Sequence, residues 1–254
     1  MNITYAILLS LFAGLSTTFG SFIATFLKKP GARFMALTLG FSAGVMVYIS
    51  FVELLQNGIL QVGFAIANLA FLVGILCMFL LDILIPHHYL AERYDIKTAK
   101  HGKNLARTGL LVALGIGIHN FPEGLVTFVG TLQSLKLGFA IAIAIALHNI
   151  PEGIAVSAPV YAATGSRRQA FYWSFLSGLA EPLGAIIAAL FLLPFLNAWV
   201  MGLVLAFVAG IMVFIAIDEL LPVSHSYGHE HLSIAGFVGG MIIMAVSLWI
   251  MNIV

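Results

Sequence analysis

GFAIAIAIALHNIPEGIAVSAPVY, residues 138–161, is a run of twenty-four residues with no Lys, Arg or Asp and one carboxylate. As a helix rising 1.5 Å per residue it would be about 36 Å long, enough to cross a hydrocarbon core roughly 30 Å thick. Comparable runs recur along the 254-residue chain, at approximate limits 2–27, 33–55, 63–85, 106–130, 138–161, 168–193, 199–221 and 233–253. They predict an all-α polytopic membrane protein, eight transmembrane helices in a single transmembrane domain over 1–254. Composition agrees, since 61% of residues are hydrophobic and 8% charged, against roughly 45–50% and about 25% in globular proteins. So few charges cannot coat a water-soluble surface or build a nucleic-acid-binding face, which excludes soluble enzymes and DNA-binding proteins. The single cysteine, Cys77, lies inside an apolar run and excludes an intramolecular disulfide framework or a thiolate metal cluster.

Orientation follows from the basic residues. Lys28, Lys29 and Arg33, then Arg93, Lys97, Lys100, Lys103 and Arg107, then Arg167 and Arg168 fall in alternate connections; only Lys136 falls on the other side. By the positive-inside rule those connections are cytoplasmic. Both termini are then periplasmic or extracellular, and the long connection 86–105 is a cytoplasmic loop between spans three and four of a protein of the inner (plasma) membrane. The first span has no Lys or Arg before it and two after it, the reverse of a cleaved signal peptide, so it is expected to stay.

Two internal similarities refine the architecture. LGFSAGVMVYISFVELL at 39–55 laid over LAFVAGIMVFIAIDELL at 205–221 matches at ten of seventeen positions, Gly44 with Gly210, Met46 with Met212 and Glu53 with Glu219 among them. These are spans two and seven, which cross in opposite directions. The match therefore predicts an inverted repeat of spans 1–3 against spans 6–8. HNFPEG at 119–124 and HNIPEG at 148–153 pair span four with span five in the same way. Both motifs lie near the middle of their spans, so an in-plane two-fold axis would bring them face to face at the bilayer centre.

That juxtaposition is chemically demanding. His119 and Glu123, four residues apart, share one helix face, as do His148 and Glu152. Pro122 and Pro151 each withhold an N–H from the carbonyl one turn back, and bare carbonyls at membrane depth are tolerated only where protein or a water-lined cavity meets them. Glu123, Glu152 and, midway along span six, Glu181 are midspan carboxylates, and no Lys or Arg lies inside a span, away from its ends, to pair with them. Each costs roughly 2.5–3.5 kcal/mol at the bilayer centre on insertion scales. Such groups must hold protons or bind a cation, and two imidazoles beside them argue for a transition metal. Nitrogen and oxygen donors without thiolate, with Asn120 and Asn149 able to add carbonyl oxygens, suit Zn²⁺, Fe²⁺, Mn²⁺, Co²⁺ or Cd²⁺.

The remaining acids mark the span ends: Glu53 at the outer end of span two, and Asp82, Asp218 and Glu219 at the inner ends of spans three and seven. They read as an outer mouth and an inner exit for cations, or simply as acids at the membrane–water boundary. The other histidines, His87, His88 and His101, then His225, His229 and His231, occupy cytoplasmic connections. The second group, in HSYGHEH beside Glu230, resembles a loose metal-catching tract.

HNFPEG and HNIPEG, the Glu in SGLAEPLG at 177–184, FVELL matched by IDELLP, and PVYAATGSRR at 159–168 together resemble the ZIP (Zrt-, Irt-like) metal transporter family, over essentially all eight spans. The resemblance implies uptake of divalent metal into the cytoplasm. It implies a moving bundle of spans 1, 4, 5 and 6, which carries the site, against a scaffold of spans 2, 3, 7 and 8. It also implies two adjacent metals, one held by His119, Glu123, His148 and Glu152, the other by Asn120, Glu123, Asn149, Glu152 and Glu181. The 86–105 loop has three His, short of the long His-rich insertion of other members. Where SLFAGLSTTFG at 10–20 is aligned with SFLSGLAEPLG at 174–184, Thr17 stands opposite Glu181, so the third carboxylate comes from one half only.

The expected function is import of divalent transition metal, such as Zn²⁺ or Fe²⁺, as cargo. No catalytic cofactor is expected. The partners are metal ions and the lipid bilayer, not nucleic acid, and a homodimer is one candidate assembly. A membrane-embedded metalloenzyme is the rival from another class, and it lacks the HExxH signature of a zincin. A proton-coupled carrier whose carboxylates only relay protons is the second rival.

Overall fold

A computed structural model describes residues 3–26, 30–84 and 103–253. The 86–105 loop with His87, His88 and His101, and the basic residues Lys28, Lys29, Arg93, Lys97 and Lys100, lie outside the described residues or on their edge. Eight long helices run α1 Ile3–Phe26, α2 Ala32–Val62, α3 Phe64–Leu84, α4 Lys103–Gln133, α5 Leu135–Thr164, α6 Arg167–Phe195, α7 Ala198–Ser226 and α8 Glu230–Ile253. Among the described residues there is no strand. Seven of the helices are long and apolar enough to cross a membrane by length and composition; α4, the eighth, is the helix that carries HNFPEG. The protein is a multi-pass, all-helical membrane protein.

Several helices outrun the apolar limits that predicted them. The second span, expected to stop at 55, continues to Val62, because Gln56, Asn57 and Gln61 are acceptable helix residues that hydropathy alone discards. Glu53 therefore sits within a helix rather than at its end. It lies in a wide turn, Ser50–Leu54, where the backbone takes one extra residue, and α7 has the same device at Ala216–Leu220, around Glu219. Such π-turns cluster at functional sites because they re-aim side chains without ending the helix.

The short connections are built from local chemistry. Ser134 alone separates α4 from α5, and its side chain accepts the Leu137 N–H at 3.1 Å; Asn197 caps α7 through Val200 N at 2.9 Å. Gly165 ends α5 with φ +64°, a left-handed conformation that glycine adopts at little cost.

Packing places α5 at the centre. In its most apolar stretch 78% of residues are buried, against 22% in α3 and in α8, whose Phe64, Leu69, Leu72, Ile242 and Trp249 face outward as a lipid-exposed surface must. Close backbone contact at glycine holds the bundle together. A Cβ at Gly44 would fall on the Phe237 carbonyl of α8, and one at Gly210 on the Phe71 carbonyl of α3. Likewise Gly124 lies against Glu181 and Gly153 against Thr17. Small residues at such crossings let backbones approach where lipid offers no hydrophobic drive. Around these contacts pack Met35, Leu39, Met46, Phe128, Ile141, Ile145, Leu205 and Met212, all essentially inaccessible.

Candidate metal centre

The two motifs meet in the middle of the bundle. His119, Asn120, Glu123, His148, Asn149, Glu152 and Glu181 are each at most 5% exposed. α4 and α5 stay helical through Pro122 and Pro151, so the four-residue spacing does put each His and Glu on one face. The helices then bring opposite motifs together: His148 Nε2 stands 3.1 Å from Glu123 Oε1.

The asparagines are held by their amide nitrogens. Asn120 Nδ2 donates to the Ser177 carbonyl of α6 at 3.1 Å, and Asn149 Nδ2 donates to the Ala13 carbonyl of α1 at 3.2 Å and also to Glu181 Oε1. With the nitrogens so fixed, each amide must turn its oxygen elsewhere. Asn120 Oδ1, Asn149 Oδ1 and one oxygen each of Glu123, Glu152 and Glu181 are buried without a hydrogen-bond partner. Buried polar atoms are satisfied in more than about 90% of cases. Five unsatisfied acceptors on neighbouring turns, with no Lys or Arg in the sequence between 108 and 135 or between 137 and 166, form an electronegative cluster whose natural complement is a cation.

One contact is new to the sequence reading, and one placement differs from it. His119, grouped by resemblance with Glu123, His148 and Glu152, has its Nε2 2.9 Å from Glu219 Oε1. Glu219 was expected at an inner span end, yet it is only 7% exposed, while its neighbour Asp218 faces out. The π-turn at Ala216–Leu220 and the packing of α7 on α4 carry the carboxylate inward. The signal that could have found it was present: Glu219 was the repeat partner of Glu53. Among the described residues, no group of three or more His, Cys, Asp or Glu side chains is placed to hold a metal ion as it stands. His225, His229 and His231 flank the α7–α8 turn without gathering into such a group.

Glu53 stands apart from the centre. Asn57 Nδ2 donates to its carbonyl at 2.8 Å and to its Oε1 at 3.2 Å, and Gln133 Nε2 donates to Asn57 Oδ1 at 3.2 Å. Beside them is a cavity of about 120 Å³ lined by Glu53, Asn57, Ser134, Lys136, Leu137 and Leu248.

An oxygen-rich, imidazole-bearing centre buried among membrane-crossing helices is the kind of site that polytopic metal carriers have. The sequence pattern of the family described as "ZIP Zinc transporter" matches residues 86–248. Proteins named "Zinc transporter ZupT" match nearly end to end. The one from Streptococcus mutans serotype c is 50% identical over 255 residues, covering 96% of each chain. The one from Clostridium perfringens is 45% identical over 273 residues, covering 97% of this chain and 96% of the relative. The one from Akkermansia muciniphila is 48% identical over 263 residues, covering 97% of each. The chain belongs to the ZIP zinc transporter family.

Proposed function

We propose that this protein carries divalent transition-metal ions, zinc foremost, across a cell membrane into the cytoplasm through the buried centre between α4, α5 and α6. The observation that carries this reading is the set of five partnerless oxygens from Asn120, Glu123, Asn149, Glu152 and Glu181, which are the residues that the family resemblance assigns to one metal. His119, Glu123, His148 and Glu152 would hold its neighbour. Glu123 and Glu152 balance one divalent ion; Glu181 and Glu219 supply charge for a second. Glu219, against His119, offers a departing ion its next carboxylate on the α7–α8 side.

The termini are assigned to the outer face by the distribution of basic residues, and 1–254 to one transmembrane domain. Inverted repeats underlie the centre. In their support, Ala13 aligns with Ser177 and Thr17 with Glu181, so the Asn149–Ala13 and Asn120–Ser177 hydrogen bonds are images of one another. The Gly153–Thr17 and Gly124–Glu181 contacts are images in the same sense, as are those of Gly44 and Gly210. A metalloenzyme is disfavoured because the relatives are named as transporters.

Uptake of radioactive zinc into liposomes containing only the purified protein tests the reading. Glu123→Ala and Glu152→Ala should each reduce flux to near background with the protein still inserted. Normal flux through either variant, or no flux through the unaltered protein, refutes it.

A further inference from the structure

Lys136 is the one basic residue that breaks the charge pattern of the chain, and it lies beside Glu53. Both line the cavity at the α4–α5 turn. Lys136 is exposed and Glu53 half-buried, so their attraction is weak and screened. The cavity is not an isolated surface dent. Leu137, Ala140, Ala144 and His148 follow one face of α5, which places the cavity about 12 Å above His148 at 1.5 Å per residue. Along this stretch of α2 and α5, Met46, Leu54, Ile141, Ala144 and Ile145 are each at most 1% exposed.

The repeat gives this cavity a meaning. Glu219 and His119 are 2.9 Å apart. Their repeat partners, Glu53 and His148, are not paired: His148 is on Glu123, and Glu53 is held by Asn57. Resting on the transport reading above, we propose that Glu53 and the amides of Asn57 and Gln133 form an outer binding site for a hydrated divalent cation. The Lys136 ammonium is its tethered counter-charge, displaced by the arriving ion. Gln133 Oε1, buried without a partner next to this cluster, supplies a further acceptor. A divalent ion outcompetes a flexible monovalent side chain at one carboxylate, whereas a monovalent ion does not, so the arrangement filters cations by charge before they reach His148.

Zinc uptake kinetics of Lys136→Gln, Glu53→Gln and the double variant in proteoliposomes read this directly. Removing Lys136 should lower KM roughly three- to tenfold with kcat little changed, as expected for one unit charge a few ångströms from the ion in a partly hydrated site. Lys136→Arg should behave as the unaltered protein. Glu53→Gln should raise KM, and in that background Lys136→Gln should have almost no effect. An unchanged or raised KM in Lys136→Gln overturns the proposal. So does an equal drop in both backgrounds, which would mean diffuse repulsion and no occupancy of Glu53. A second measurement does not depend on transport. Zinc titration of purified protein carrying Glu123→Gln and Glu152→Gln should find one weak ion, tightened by Lys136→Gln and abolished by Glu53→Gln. No difference among these three proteins overturns the outer site whatever the central residues do.

Discussion

Alanine at Gly124 would put a methyl group where the backbone of α6 already is. The added Cβ would land on the Glu181 carbonyl oxygen, 2.6 Å from the carbonyl carbon and 2.8 Å from Cα. Ordinary carbon–carbon contact lies at roughly 3.5–4.0 Å, so α4 and α6 must part by on the order of 1 Å. Every atom struck is main chain, and no rotamer change relieves the overlap. Overpacking costs about 1–3 kcal/mol, with the upper end expected here, against a gain of about 0.5–1 kcal/mol for Gly→Ala in a helix. Gly239→Ala in α8 is the control, because a Cβ there meets nothing within 4 Å and only the gain remains. The two variants should therefore differ by about 3 kcal/mol, or roughly 6–12 °C in unfolding temperature for a chain of this size. Thermal unfolding in detergent, followed by loss of the monodisperse chromatographic peak, measures the gap. Because Glu181 moves with α6, zinc uptake by Gly124→Ala should fall as well. Equal unfolding temperatures, with uptake unchanged, would show that α4 and α6 do not touch backbone to backbone at Glu181.

Glu181→Gln can still accept the hydrogen bond from the Asn149 amide but removes the third midspan charge. Elemental analysis of the purified variant should find bound zinc reduced from about two ions toward one while some transport persists, since a second divalent ion in low dielectric needs that charge; two ions at unchanged affinity would contradict it. Replacing His225, His229 and His231 together with Ser should leave a substantial fraction of maximal uptake, because residues around a solvated turn tune access without forming the buried centre. Loss of all flux at normal protein levels would place them in the path.

Much of this molecule was readable because polar residues in apolar spans are conspicuous. Eight helices followed from run length, and HNFPEG and HNIPEG announced the centre through charges that lipid cannot solvate. Glu219 was misplaced because hydropathy fixes where a span ends, not how high it rides against its neighbours. His119 lies about 24 Å from the Lys103 end of α4, whereas Glu219 lies only about 10 Å from the Ser226 end of α7, at 1.5 Å per residue. Their contact requires the helix ends to be staggered, which packing sets. The π-turns at Ser50–Leu54 and Ala216–Leu220 were equally hidden, since nothing in SFVEL or AIDEL forbids an ordinary turn. The asparagines were read as carbonyl-oxygen ligands, but that Ala13 and Ser177 would hold their nitrogens depended on distant parts of the chain meeting.

The single residue between α4 and α5 bears on how the chain enters a membrane at all. A lone helix with His119 and Glu123 at mid-depth is poorly tolerated by lipid, and so is one with His148 and Glu152. Ser134 joins the two so tightly that they can leave the insertion machinery as one hairpin, with Glu123 already facing His148 across 3.1 Å. α4 then does not have to meet the acyl chains with Glu123 uncovered. Lengthening that turn should therefore harm biogenesis before it harms transport, with chains accumulating in which α4 and α5 fail to insert.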